Sequence, residues 1–467
     1  MGSNEEIFMN HIGEQSIEKD YTKSLAQYIG GFSYEDMPPE VVARAKIILL
    51  DTLGAILPAS DPAYPGSRAL IEMARMLGGE PQSTIIGSDF KTSSINACLV
   101  NGTFGYAFDI EPHHVAAVLH PAAVCIPVAL AFTEWKKRGG KDLLSALTLG
   151  IEVSCRVSMA LNPRDLYGRG FHPTSIACTF GAAASAGHLL QLKEDQWLNA
   201  LGLSGNQASG LLAWAKDHTE NSRPLNPGLA ARNGATASLL AKLGFGGPPN
   251  IFDGKYDFFS AFSSGGQNPE HFFRDEWAVQ ELAIKQYSSC SFTHPGLDAL
   301  LEIIEEHGLV SKNIAKIDLR YPRAGAHMID NNELRSHCAQ YVFAVAAVTG
   351  QVLFDDILTD RRDDPEIKRL FENASLIPDD ILDRTYPDQY ESIVTVTTTD
   401  GRSFEKHSGW AKGTVQNPMT ENEVEDKFFK LSTRRIPVEQ AEQIRSWVAT
   451  CEALEDVEGL MALLRVV

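Results

Sequence analysis

Phe180-Gly181-Ala182-Ala183-Ala184-Ser185-Ala186-Gly187 decides how the first half of this chain folds. After Phe180 nothing in it is larger than serine. At helical spacing such a stretch raises no bulky ridge, lets other helices approach closely, and suits a helix buried on all sides. It lies within Ser175–Leu192. Pro39–Leu57, Ala122–Trp135, Leu143–Met159 and Leu229–Leu243 are comparable runs, with apolar and small residues recurring every three or four positions. Gly139-Gly140, Asn162-Pro163 and Gly246-Gly247-Pro248-Pro249 punctuate them as loops. The first 280 residues or so therefore read as a large helical bundle.

The pattern changes near residue 280. Ile314–Tyr321 and Ile393–Thr399 alternate or are β-branched, and Asp400-Gly401 follows the second run as a hairpin turn. Helical patterns at Gly296–His307 and Cys338–Val348 lie between them. Beyond Pro418 the chain returns to helix at Glu421–Leu431, Pro437–Cys451 and Leu460–Leu464. The expected fold is mainly α. Residues 1–280 and 413–467 form a large helical domain from both ends of the chain, and 281–412 form a smaller inserted α+β lid domain.

Bulk properties narrow the function classes. A chain of 467 residues is too long for one compact core. A net charge of −19 argues against nucleic-acid binding, and an anionic substrate must be met by a local basic pocket. Seven scattered cysteines without a CxxC pair suggest free thiols in a cytoplasmic setting. The acidic start (Glu5, Glu6, Glu14) lacks the pattern of a secretory signal, and the Val124–Phe132 run is too short to span a bilayer, so no membrane partner is expected. Ser263-Ser264-Gly265-Gly266 is not a phosphate loop.

Five segments carry chemistry. Asp109-Ile110-Glu111-Pro112-His113-His114 through His120-Pro121 places two carboxylates and three imidazoles within twelve residues, in a chain with 13 histidines. Imidazole can give and take protons near neutral pH, and a nearby carboxylate sets its charge and tautomer. One continuous helix there would align Asp109, His113 and His120 as metal ligands, but Pro112 interrupts it, and no metal is assigned. The second segment is Tyr167 to Thr174, where His172 precedes an Ala-rich helix and could also act as its cap. The third is Ser222-Arg223-Pro224-Leu225-Asn226-Pro227-Gly228-Leu229-Ala230-Ala231-Arg232-Asn233-Gly234, read as a basic loop opening a helix. The fourth is Ile284-Lys285-Gln286-Tyr287-Ser288-Ser289-Cys290-Ser291-Phe292-Thr293-His294, in which Cys290 reads as a buried thiol, since no motif sets a base beside it. The fifth runs from Lys412-Gly413 to Asn417-Pro418-Met419.

In this order and at these separations the segments resemble the MmgE/PrpD family, which includes 2-methylcitrate dehydratases, cis-aconitate decarboxylases and iminodisuccinate epimerase. G-F-H-P-T at 170–174 is the most specific element. A-A-R-N-G at 230–234 and I-K-x-Y-x-x-C-x-x-T-H at 284–294 follow, and the likeness runs from Arg44-Ala45-Lys46 and Asp51 to the 421–428 segment. The resemblance implies a homodimer and an active site between the domains that needs no cofactor or metal. It carries the catalytic aspartate onto Asp109, the histidines onto His120 and His172, and the lid lysine onto Lys285.

This chain departs from the family pattern at three places. Arg223 replaces a loop lysine, His113 stands where Tyr or Thr is common, and Cys290 stands where animal aconitate decarboxylases have His. Arginine stays charged and binds carboxylates bidentately, so Arg223 suits gripping a substrate better than moving a proton. Arg223, Tyr287, Cys290 and His294 are the expected substrate-binding groups, and Asp109, His113, His120, His172 and Lys285 the catalytic ones. The expected function is a cofactor-independent lyase, a dehydratase or decarboxylase, acting on a small di- or tricarboxylate. The alternative is an epimerase, encouraged by Arg223. A catalytically inert scaffold would have to lack the acid–base groups, and they are present.

Overall fold

A computed structural model describes residues 20–386 and 389–466; the acidic stretch with Glu5, Glu6 and Glu14 lies outside the described residues. The chain is 58% helical and 9% strand, a mainly α protein. The Ala- and Gly-rich stretch belongs to the Pro173–Leu189 helix, which is buried along nearly its whole length. It packs against Gly140–Ala160 at a glycine-to-glycine crossing. A methyl group on Gly181 would strike the Gly150 carbonyl and the Ser154 hydroxyl, and one on Gly150 would meet the Gly181 carbonyl at 2.9 Å. Opposite, Gly234 of the Ser222–Lys242 helix lies so close that a Cβ would strike the Thr179 carbonyl. Small residues thus stack three helices at close range and replace side-chain volume with backbone contact. Gly140–Ala160 is long and apolar enough to cross a membrane, but 94% of that apolar window is buried inside the protein.

Helix 222–242 begins at Ser222, so the expected basic loop is instead the first three turns of the helix. The reason is positional. Pro224 sits in the first turn, where backbone N–H groups have no intrahelical partner, and Pro227 gives up a single hydrogen bond that the packed helix tolerates.

The described residues build two hydrophobic cores. The larger gathers positions from Leu25 to Ile284, then Phe354, and again Val424 to Leu464. The chain ends meet where helix Glu421–Ser432 lies against Pro39–Ala59: a methyl on Gly54 would touch the Phe428 backbone at 3.3 Å. Beside that contact Lys427 Nζ pairs with buried Asp51 at 2.7 Å and donates to the Ile110 carbonyl at 2.7 Å. The smaller core holds positions between Tyr287 and Val396. Its four-stranded sheet has the order Ala374–Asp379, Ile314–Pro322, Ser392–Thr398, Ser403–Ser408, the first pair parallel and the others antiparallel. Alternate residues of 392–398 are buried under the His294–Glu306 and Ala339–Thr349 helices. Gly401, at φ +87°, makes the expected turn between the last two strands.

Candidate active site

The Asp109–His120 segment is a pinned loop, not a helix. Asp109 and Val118 take left-handed backbone angles (φ +52° and +51°), and His114 and Leu119 exchange backbone hydrogen bonds across a tight turn. His113 and Ala283 exchange a second pair, 3.0 and 2.8 Å long, while Ile284 N–H donates to the Gly413 carbonyl. This short bridge carries Lys285 onto the loop, and Lys285 Nζ lies 2.5 Å from Asp109 Oδ1. Arg223, two residues into its helix, reaches the same oxygen at 3.7 Å and stacks over the Tyr106 ring at 4.8 Å. Burial alone would raise the Asp109 carboxyl, but Lys285 and then Arg223 outweigh it and hold the carboxyl well below its usual range. Asp109 is a fixed anion between two cations.

His120 is placed by its neighbours. Its backbone N–H donates to Thr174 Oγ1 at 3.2 Å, so the threonine of G-F-H-P-T anchors the histidine of the other segment. Its Nδ1 stands 2.7 Å from a carboxylate oxygen of the buried Glu111. The approach lies off the line of a directed hydrogen bond. Tyr106 meets the His120 ring edge-on at 4.6 Å, and the His113 ring stacks 5.6 Å away.

His172 takes the N-cap position of the 173–189 helix but makes no capping hydrogen bond. Its Nδ1 faces the Asn226 amide of helix 222–242 at 3.4 Å, an arrangement that leaves the proton on Nε2. Burial, with help from His120 and Arg223, pushes His172 down to about 3, so its imidazole is neutral near pH 7. Burial also drives His113 well below the usual histidine value, and neither of its ring nitrogens has a hydrogen-bond partner.

These groups line one cavity of about 580 Å³. Asp109, His113, His120, His172, Lys285 and Cys290 are all on its wall, so residues from three separate segments converge there. Burial, then Asp109, raises the Cys290 thiol to about 11, which makes it a protonated wall group rather than a nucleophile. Three expected substrate-binding residues lie elsewhere. Arg223 is buried behind Asp109, because its guanidinium is drawn to Asp109 and Glu220. Tyr287 turns into the smaller core and donates to Asp298 at 2.7 Å. His294 faces an adjoining cavity of about 30 Å³ that it shares with His113 and Lys285. His114 is satisfied locally: its Nδ1 accepts from Ala117 N–H and its Nε2 meets Glu281 at 2.9 Å. All seven cysteines are free.

The structure adds residues the sequence did not single out. Tyr106, Trp214, His327 and His337 line the same cavity, beside Tyr167 of the second segment. His337 is held by Ser336 Oγ at 2.9 Å, and Ser336 in turn donates to Glu220 at 3.3 Å. His337 sits about 50 residues beyond Lys285 in a segment without a distinctive motif, and only its being one of few histidines could have drawn notice. Asp109, Glu111 and His120 offer donor atoms within 4.8 Å of one another, close enough for a metal ion. However, Asp109 is already neutralised by Lys285 and Arg223, a poor setting for a second cation.

Comparison with known proteins places the chain in a family. The MmgE/PrpD N-terminal domain matches residues 23–271, and the MmgE/PrpD C-terminal domain matches residues 287–453. The chain is 26% identical to the cis-aconitate decarboxylase-like protein oryM of Aspergillus oryzae, over 97% of this chain and 99% of that protein. It is 27% identical to the cis-aconitate decarboxylase of Homo sapiens, over 96% and 95%. It is 22% identical to the 2-methylcitrate dehydratase of Salmonella typhimurium, over 84% and 86%. With both domains matched in order along the chain, the protein belongs to the MmgE/PrpD family.

Proposed function

We propose that this enzyme is a lyase that decarboxylates a cis-aconitate-like tricarboxylate by acid–base chemistry of its own side chains. The observation that carries the reading is the convergence of Lys285, His120, His172 and Asp109 on one cavity in a chain of net charge −19. Lys285 is the local cation that receives a substrate carboxylate, and Asp109 holds it in place. The neutral His172 donates its Nε2–H to substrate oxygen. When the C–C bond to the departing CO2 breaks, its electron pair spreads over the neighbouring double bond and carboxylate. His120, with Glu111 as counter-charge, then delivers one proton to carbon and is reloaded from water, so each turnover consumes one proton. In this reading residues 281–412 act as a lid on the helical part, and the enzyme works as a cytoplasmic homodimer.

Preference for decarboxylation over dehydration rests on the relatives. Those named cis-aconitate decarboxylase align over 96–97% of the chain, and those named 2-methylcitrate dehydratase over 80–84%. The epimerase alternative rested on Arg223, which is off the cavity wall and acts on the charge of Asp109 instead. The test is NMR of cis-aconitate and 2-methylcitrate incubated with the enzyme in heavy water. Loss of CO2 with one deuterium gained on carbon is expected. Loss of water alone makes it a dehydratase, deuterium exchange with no atom lost makes it an isomerase, and inertness toward every tricarboxylate refutes the lyase assignment.

A further inference from the structure

The cavity is larger than the chemistry needs. A tricarboxylate of about twelve non-hydrogen atoms fills roughly 200 Å³ at the packing density of a protein interior, against the cavity's 580 Å³. The proton-handling groups occupy one connected patch, with His120 in contact with Tyr106, His113 and Glu111, and Lys285 with Asp109. Much of the remaining wall is aromatic or aliphatic. Phe292, Tyr386 and Tyr390 pack edge-on or stacked at 5.3–6.0 Å, and Leu212 and Met328 line the same cavity, as do Arg164 and His327, while Trp214 meets the His172 and His337 rings at 5.7 and 5.8 Å. Such a surface gains nothing from a compact trianion, which leaves it in contact with water. An apolar chain would cover it.

We propose that the true substrate is a tricarboxylate bearing an apolar chain of several carbons, its acid head at Lys285 and His120 and its tail along Phe292, Tyr386, Tyr390 and Met328. This rests on the lyase reading above and narrows its substrate class. Each buried methylene contributes about 0.8 kcal/mol, which is roughly a fourfold gain in affinity.

Calorimetric titration with citrate, methylcitrate, butylcitrate and hexylcitrate tests it, alongside turnover of cis-aconitate and its butyl derivative. Butylcitrate should bind at least tenfold more tightly than citrate, and the butyl substrate should show a correspondingly higher kcat/KM. Met328→Trp, which fills the apolar end from a half-buried position, should lower the butyl-to-unsubstituted preference at least tenfold; being a ratio, it is unaffected by partial loss of folded enzyme. Citrate binding as well as or better than butylcitrate overturns the inference and leaves the lyase reading intact. Failure of every tricarboxylate to bind or react overturns both.

Discussion

Two buried aspartate–lysine pairs, alike in distance, sit in different surroundings. Lys285 meets Asp109 at 2.5 Å, and Lys427 meets Asp51 at 2.7 Å. At the first, Lys285 and Arg223 together overcome burial and keep Asp109 ionised. At the second, burial wins: it raises Asp51 and lowers Lys427, so both partners move toward their neutral forms. The surroundings differ in the same sense. The Asp109 pair opens on a cavity with six histidines on its wall. Lys427 borders a cavity of about 230 Å³ whose wall carries Glu423, Asp426 and a second lysine, Lys430, but no histidine. A buried ion pair is weak evidence of either stability or function by itself. The number of cations around the carboxylate, and the groups facing the adjoining space, are what distinguish the two pairs, and under the proposed function they make the Asp109 pair the working one.

The largest expected effect is on turnover. Lys285→Met should reduce kcat/KM by ~10³-fold, the scale of losing one well-placed charge at a reacting anion, with a much smaller change in melting temperature. Steady-state kinetics and thermal unfolding check this, and near-normal turnover would make the Asp109 pair merely structural. Lys427→Met should do the reverse. Losing one partner of a buried pair costs about 3–5 kcal/mol, reduced here because Asp51 can take up a proton, and the turnover of folded enzyme should fall less than tenfold. Adding Asp51→Leu should restore part of the lost stability in urea titrations. If the double variant is no more stable than Lys427→Met, the Asp51 pair is not the near-neutral link described.

Acid stability sharpens the contrast. His172 and His294 are pushed by burial to about 3 and His337 to about 4, against about 6.5 in an unfolded chain. Between pH 6.5 and 4 the unfolded state binds protons that the folded state refuses. Stability is therefore lost as pH falls, by at most roughly 1.4 kcal/mol per pH unit for each histidine. Urea titrations at pH 7 and pH 5 should show this loss, and His172→Asn should shrink it; a flat profile would contradict neutral buried imidazoles. The smallest effect is expected of Arg223→Lys, which keeps a cation near Asp109 and should change kcat/KM less than tenfold. A change of reaction product in that variant would return Arg223 to the reacting face.

Much of this was legible in the sequence because local rules and local structure agree. Small residues at helical spacing mark the Gly150–Gly181 crossing, and Asp400-Gly401 marks its hairpin. Asp109, His120, His172 and Lys285 stood out by residue type and motif, and the fold gathers them. Misreadings arose where distant contacts overrule local signals. Prolines 224 and 227 argued for a loop, but a packed helix absorbs them. Strand Ala374–Asp379 carries Pro378 and little alternation, because it is an edge strand defined only by pairing with 314–322. Arg223 looked like a substrate clamp until Asp109 and Glu220 claimed it, and Tyr287 until Asp298 did. No spacing rule announces His337, which reaches the cavity through Ser336 and Glu220.

A crystal structure with a bound, unreactive tricarboxylate tests the central claim most directly. The account predicts a ligand carboxylate within about 3 Å of Lys285 Nζ, with the ligand's carbon skeleton facing His120 and His172. A ligand seated instead beside Lys427, or anywhere away from the Asp109 pair, would contradict it.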